Sequence, residues 1–524
     1  MTRRGPETDK ITDLCPPITR AQPGSRYLCS PLLLPLDFDS GPSRHYLNSN
    51  CYRMGAFVSR SRRRRYTAGS HNMLYSPEAP SYFEVLHKGK RVGPDSANGS
   101  ALTSQNLSVR ALVETSCPSL MQDYKPTWWL PGGHVQTAFC VVANFNQVDE
   151  ILYERTLLSL PDGGTLGLDF TPRTQDRELS PETPIVVVLH GLSGGSHESY
   201  VRSILSQVCA SPSDGGLGYR AVVVNFRGCA GVPLTSPQFY SAGHTEDIRI
   251  ALSYIQKTYP RARLTGVGFS LGANVLVRYL GEEGEKSRLD AGCALGCPWN
   301  LVDNSKNLEG SFFYRNVYSR AMGGNLLKLL SRHLKTLAKL PPSHLTPHIP
   351  RVLSLRNPTL KQVDAHLTII AGGHSPPFPF ASPDEYYEWA RSDTHLGTVR
   401  VPLLAINAED DPIVRELPVE AALESKCVVL AVTPKGGHLG WFEGGTPWSK
   451  SRPPPRWIRK PVTEWIKATC ETLTSRPEVN DDWVEGENGF IVERERKHIG
   501  FKVHSLHETV VGTADEAQGG FQGL

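Results

Sequence analysis

The chain has 524 residues, 39% hydrophobic and 21% charged, and its 56 Lys/Arg against 52 Asp/Glu leave a net charge of only +4. That length exceeds what one compact core needs, so one large domain with additions, or two domains, is expected of a soluble globular protein. Residues 1–72 hold 12 Lys/Arg and 5 acidic residues, +7 locally, so the remainder is close to −3 and carries no electrostatic footprint for nucleic acid.

Residues 1–120 read as an irregular N-terminal arm, rich in Ser, Pro, Gly and Arg and without sustained periodicity. The opening "MTRRGPETDK" is polar, with no apolar stretch behind it, so no signal peptide is expected. "SPLLLPL" at 30–36 is too short for a transmembrane helix and contains proline. "SRSRRRR" at 59–65 reads first as a solvated arm, with contact to anionic lipid or a targeting role as alternatives. Any contact with a membrane or lipid droplet would then be peripheral. The 11 Cys are odd in number and lack a C-x-x-C pair, which suits free thiols in a reducing intracellular compartment. Cys293 and Cys297, four apart in "CALGC", read as a buried strand rather than a metal site.

Ordered structure is expected over 121–475. "ILYERTLLSL", "PDGG" and "TLGLDF" read as a hairpin. Continuous apolar runs then alternate with helical stretches: "PIVVVL" (184–189), "RAVVVNF" (220–226), "RLTGVGF" (263–269) and "AGCALGC" (291–297). Unbroken apolar strands between helices mean a mostly parallel, doubly wound α/β sheet covered on both faces. Residues 305–398 interrupt this pattern with helical and Pro-rich stretches, where a cap over an active site would sit. Strands resume at 401–412 and 426–438, a helix comes next, and 476–524 read as an irregular tail.

Two G-x-S-x-G spacings carry the chemistry, Gly191-x-Ser193-x-Gly195 and Gly268-x-Ser270-x-Gly272. A serine nucleophile needs a strand ending just before it and a helix starting just after, so that a sharp turn lifts the hydroxyl above the sheet. Ser270 meets both conditions; Ser193 is followed by the flexible "GGSHESY". The "HG" before it suits an oxyanion loop, which leaves the backbone N–H groups of Leu192 and Leu271 as candidate oxyanion donors. The partners should come in the order acid, then histidine. "NAEDDP" ends a resumed strand, and Asp-Pro at 411–412 favours a turn that aims a carboxylate, so Asp411 is the preferred acid and Asp410 the alternative. His438 lies on a Gly-rich loop after the last strand, while His190, His197, His366 and His374 lie on the oxyanion loop or in the insertion. "HVQT" (134–137) reads as packing near the first strands. The aromatics Phe378, Phe380, Tyr386, Tyr387 and Trp389 read as core packing or as a wall for an aliphatic chain.

"WLPGGHVQT", "HGLSGGSHESYVR", "NFRGCAG", "GFSLGANVLVRYLGEEG", "DEYYEWAR" and "NAEDDPIV…GGHLGWFEG" together resemble the α/β-hydrolases of AB hydrolase family four, over roughly residues 120–475. That family includes medium-chain fatty-acid ethyl ester synthase/esterases, monoacylglycerol lipases and related phospholipases. The resemblance implies an α/β-hydrolase fold, acyl esters as substrates with water or an alcohol as the acceptor, and no metal or dissociable cofactor. It also implies catalytic roles for Ser270, Asp411 and His438. "TIIAGGHSPPFPF" (368–380) and the basic arm depart from the family pattern. A serine esterase or lipase on medium-chain acyl esters, with acyl transfer to an alcohol as a second outcome, is the leading expectation. A dedicated hydrolase or thioesterase on a bulkier acyl intermediate and a catalytically silent binding protein are the alternatives.

Overall fold

The computed structural model describes residues 72–77, 80–90, 100–448, 453–474 and 483–511. The expectations for the Arg cluster at 59–65 and for 30–36 lie outside them. The strands are β1 (Met73–Tyr75), β2 (Tyr82–Lys90), β3 (Ser100–Ser108), β4 (Leu152–Ser159), β5 (Thr165–Thr171), β6 (Ile185–Leu189) and β7 (Arg220–Asn225). They continue with β8 (Leu264–Phe269), β9 (Ala291–Leu295), β10 (Leu403–Ala408), β11 (Val428–Thr433), β12 (Trp483–Glu485), β13 (Ile491–Glu493) and β14 (Gly500–Val511). Twelve form one sheet in the order β1-β11-β10-β9-β8-β6-β7-β5-β4-β14-β13-β12, while β2 and β3 pair as a separate ribbon.

The six apolar runs become the parallel centre, β7-β6-β8-β9-β10-β11, and every residue in them is buried. Successive side chains of a strand point to opposite faces. Accordingly Val187, Leu189, Val222 and Val224 join one hydrophobic core, and Val186, Val188, Ala221 and Val223 join the other. A strand that feeds two cores has no polar face, which is why these runs show no alternation. The β4–β5 hairpin forms as expected, with Ser159 opposite Thr165 and Gly163 at φ 79° in the turn.

Between β9 and β10 the insertion folds as a set of helices, among them Leu301–Gly310, Arg320–Arg332, Leu360–Asp364, Thr368–Ala371 and Pro383–Ala390. Two stretches read as irregular are corrected. Within 1–120, β1 pairs antiparallel with β11, and a helix at Val109–Ser116 buries Val109, Leu112 and Val113. Its N-terminus is capped by Ser108, whose Oγ accepts the Ala111 N–H. Within 476–524, β14 runs antiparallel along the whole of β4 and places Phe501 in the core. No described helix is long and apolar enough to cross a membrane.

Candidate active site

The chain passes from β6 back to β7 and then across β6 to β8, so β6 lies between the next two strands of the chain. The carboxyl ends of strands beside such a reversal are where open α/β sheets bind ligands. Both serine turns sit there, with Leu189 of β6 opposite Gly268 of β8.

β8 ends at Phe269 and the helix Leu271–Glu283 starts two residues later, so Ser270 alone makes the turn, at φ 51° and ψ −118°. That region costs a non-glycine residue on the order of 1–3 kcal/mol and persists only where the surroundings enforce it. The enforcement is close backbone packing. A Cβ on Gly268 would fall 2.6 Å from Ala273 Cα, and one on Gly272 2.3 Å from the Leu189 carbonyl oxygen. The Ser270 N–H also donates to the Leu295 carbonyl of β9, at 2.9 Å.

His438, from the loop after β11, lies between the serine and an acid. Its Nε2 is 2.8 Å from Ser270 Oγ, and its Nδ1 is 2.8 Å from Asp411 Oδ2. The other oxygen, Asp411 Oδ1, accepts the backbone N–H groups of Ile413 (2.7 Å) and Val414 (3.0 Å), which fixes the carboxylate just past the end of β10. Both His438 and Asp411 are buried. Asp410 faces elsewhere: its Oδ1 accepts the Gly437 N–H at 2.9 Å, and burial raises its pKa. Of the adjacent acids, one meets the imidazole and the other ties down the loop that carries it.

"HVQT" does more than fill space. Thr137 Oγ1 accepts the His438 backbone N–H at 2.8 Å and donates to the Gly133 carbonyl at 2.8 Å. Gln136 Oε1 accepts the Phe442 N–H at 3.0 Å and the Tyr124 hydroxyl at 3.1 Å. These two fully buried side chains hold both ends of the 438–442 loop, so the reading of the segment as packing alone is corrected. The signal was a Gln-Thr pair inside an otherwise apolar stretch, since buried polar groups require partners.

The loop after β6 is held by His190. The Phe226 N–H donates to His190 Nε2 at 3.1 Å, so the ring proton sits on Nδ1 and is donated to the Gly191 carbonyl at 2.7 Å. Burial lowers the His190 pKa to about 4, which keeps the ring neutral. In a trans peptide, C=O and N–H point in opposite directions. Fixing the Gly191 carbonyl against His190 therefore turns the Leu192 N–H away from it. Among the turn and loop hydrogen bonds of the described residues, the N–H of neither Leu192 nor Leu271 donates to a backbone carbonyl. Ser193 also has a positive φ, 52°, but its N–H donates to Tyr240 Oη at 2.9 Å and the next helix waits until Ser199.

Over Ser270 opens a cavity whose empty space, open solvent at its mouth included, is about 850 Å³. Its walls are largely apolar and include Leu192, Leu271, Leu308, Met322, Leu326 and Ile413. The insertion aromatics divide: Tyr386 and Tyr387 line the cavity, whereas Trp389 packs against Phe378 and Phe380, at ring separations of 5.5 and 5.3 Å. One buried acid, Asp364, also reaches the wall. Burial raises its pKa to about 6, against the opposing hydrogen bonds from Thr368 and Tyr387. Among the described residues, the one group of three or more metal-type ligands is His244, Glu246 and His374, which do not line this cavity.

A model described as the alpha/beta hydrolase family matches residues 186–447. The chain is 28% identical over 411 residues to the monoacylglycerol lipase of Saccharomyces cerevisiae, covering 71% of this chain and 86% of that protein. It is 33% identical over 343 residues to the embryogenesis-associated protein EMB8 of Picea glauca, covering 63% and 71% respectively. Medium-chain fatty acid ethyl ester synthase/esterase 2 of S. cerevisiae is 29% identical over 377 residues, covering 61% and 82%. With the family's model spanning the parallel centre of the sheet and its helical insertion, and with relatives aligned over most of their own length, the chain belongs to the alpha/beta hydrolase family.

Proposed function

We propose that this hydrolase cleaves carboxylic esters of medium-chain fatty acids, monoacylglycerols among them, through an acyl-enzyme on Ser270. The observation that carries the reading is the single imidazole, His438, at 2.8 Å from both Ser270 Oγ and Asp411 Oδ2 beneath an apolar cavity. His438 Nε2 takes the Ser270 proton as Oγ attacks the ester carbonyl, and Asp411 holds the tautomer in which Nε2 is free to accept it. The carbonyl oxygen becomes an oxyanion between the N–H groups of Leu192 and Leu271, each such donor typically worth about 3 kcal/mol in the transition state. His438 then returns the proton to the leaving alcohol. Water, activated by the same imidazole, releases the acid; an alcohol in its place makes a new ester. The acyl chain lies along Leu308, Met322 and Leu326, which removes apolar surface from water at about 25 cal/mol per Å². Two of the relatives are named for such esters, as a monoacylglycerol lipase and a medium-chain ethyl ester synthase/esterase, which supports this substrate class.

The test incubates the purified protein and Ser270→Ala with octanoyl esters and monooctanoylglycerol, with and without ethanol, and quantifies octanoate and ethyl octanoate. Ser270-dependent product is expected, and the ratio of acid to ethyl ester reports whether water or alcohol prevails. No product from the unsubstituted protein, or equal product from both, would overturn the reading and turn the search to bulkier acyl substrates or a binding role.

A further inference from the structure

His244, Glu246, His374 and His498 come from three segments far apart in sequence and meet around one carboxylate. His244 and Glu246 flank the start of the helix Glu246–Thr258. His374 comes after the short helix Thr368–Ala371 of the insertion, and His498 lies in the connection between β13 and β14. His244 Nε2 is 3.3 Å from Glu246 Oε2, His374 Nδ1 is 3.2 Å from Glu246 Oε1, and the two imidazole nitrogens are 3.5 Å apart. His498 Nε2 is 3.2 Å from Glu246 Oε1, with its ring stacked on that of His374.

Those separations are long for charge-assisted hydrogen bonds, which settle at about 2.7–2.9 Å. They match another geometry. A tetrahedral ion with ligand bonds of about 2.0–2.1 Å places neighbouring ligand atoms about 3.3–3.4 Å apart. Two histidines and a carboxylate form a donor set suited to zinc and similar first-row ions. The His244 side chain is 3% exposed, and its Nδ1 has no hydrogen-bond partner, so its polar surroundings lie on the Nε2 side, toward this cluster. The His374 and His498 side chains are 44% and 58% exposed, which gives an ion a route in from solvent.

We infer that His244 Nε2, Glu246 and His374 Nδ1 bind one divalent transition-metal ion of the zinc class, with the fourth position on the solvent side, where His498 stands. The site is structural and separate from the serine chemistry. It ties the insertion to the body of the sheet domain through His374, which lies in the chain between Thr368 and Tyr386 of the cavity wall. A metal here departs from the expectation, implied by the family resemblance, of no metal in this protein.

The experiment strips the full chain with chelator and titrates it with Zn²⁺ by calorimetry, alongside His374→Ala and Glu246→Gln. Co²⁺ absorption is read on the unsubstituted chain as a measurement that needs no variant. One saturable Zn²⁺ equivalent, lost in both variants with circular dichroism unchanged, is expected. So are the intense visible bands of tetrahedral Co²⁺ and a thermal midpoint that rises with Zn²⁺ and falls back with chelator. Absence of saturable binding, equal stoichiometry in His374→Ala, or only the weak bands of octahedral Co²⁺ would overturn the inference. The cluster would then be a hydrogen-bonded network and nothing more.

Discussion

The turns after β6 and β8 share a spacing, a place at the same end of neighbouring strands and even a positive φ, with Ser193 at φ 52° and Ser270 at φ 51°. They differ in the chain that leaves each turn and in the groups that face it. Behind Ser270 the helix begins at once and an imidazole stands 2.8 Å from its hydroxyl. Behind Ser193 the chain wanders to Ser199, and a neutral His190 orients the Gly191–Leu192 peptide. A positive φ at a serine therefore does not by itself tell these two turns apart. On our reading one turn presents a side chain and the other a backbone N–H, and the two strands are adjacent because an attacking oxygen and an oxyanion donor must sit within a few ångströms of one carbon.

That contrast can be broken most directly by removing each hydroxyl. Ser270→Ala is expected to lower kcat by about 10⁵–10⁶-fold on octanoyl esters, while Ser193→Ala stays within about tenfold; the reverse ranking would exchange the roles of the turns. The adjacent acids sharpen it next. Asp411→Asn should cost about 10⁴-fold in kcat by disturbing the His438 tautomer. Asp410→Asn keeps an acceptor for the Gly437 N–H and should cost no more than about tenfold, with similar losses in both counting against the division between them.

Acid should act on the first turn. His190 has a folded-state pKa depressed to about 4, so below its unfolded value of about 6.5 the unfolded chain takes a proton that the native ring refuses. Its contribution is fully present above about pH 6.5 and is lost as pH falls toward 4, at most about 3 kcal/mol. Urea unfolding of the unsubstituted chain and His190→Gln at pH 7 and 4.5 checks the sign: the stability gap between them should narrow on acidification, and a constant gap would exclude the buried neutral ring. The smallest effect belongs to Thr137→Val, which strands the His438 N–H at a cost of about 1–2 kcal/mol. It should appear as a roughly tenfold fall in kcat with KM little changed, whereas a fall in thermal stability alone would make Thr137 a packing residue.

The sheet centre was readable because strands buried on both faces carry unbroken apolar runs, as "IVVVL" and "RAVVVN" do. The strand–turn–helix context of Ser270 was readable because it is local. Asp411 was preferred over Asp410 through Pro412, and the turn delivers the Ile413 and Val414 N–H groups to its carboxylate. Gln136 and Thr137 were marked in the sequence only as a polar pair in a mostly apolar stretch; their partners were not readable, since Thr137 meets His438 across 301 residues of sequence. β1, β12 and β13 have three residues each, too few to show a period. β14 is long, but its register shifts at Val503/Ser505 and Leu506/Glu508, which interrupts its alternation.

The short β1 and the late β14 have a practical consequence. They cover β11 and β4, the two strands that would otherwise end the sheet formed by residues 121–475. A fragment trimmed to that span would leave two ladders of unpaired N–H and C=O groups, ready to template strands from other copies. Such a fragment should elute in size-exclusion chromatography as aggregate even with every site residue intact, so the boundaries of a well-behaved protein are set here by hydrogen-bonding edges rather than by where the family likeness stops.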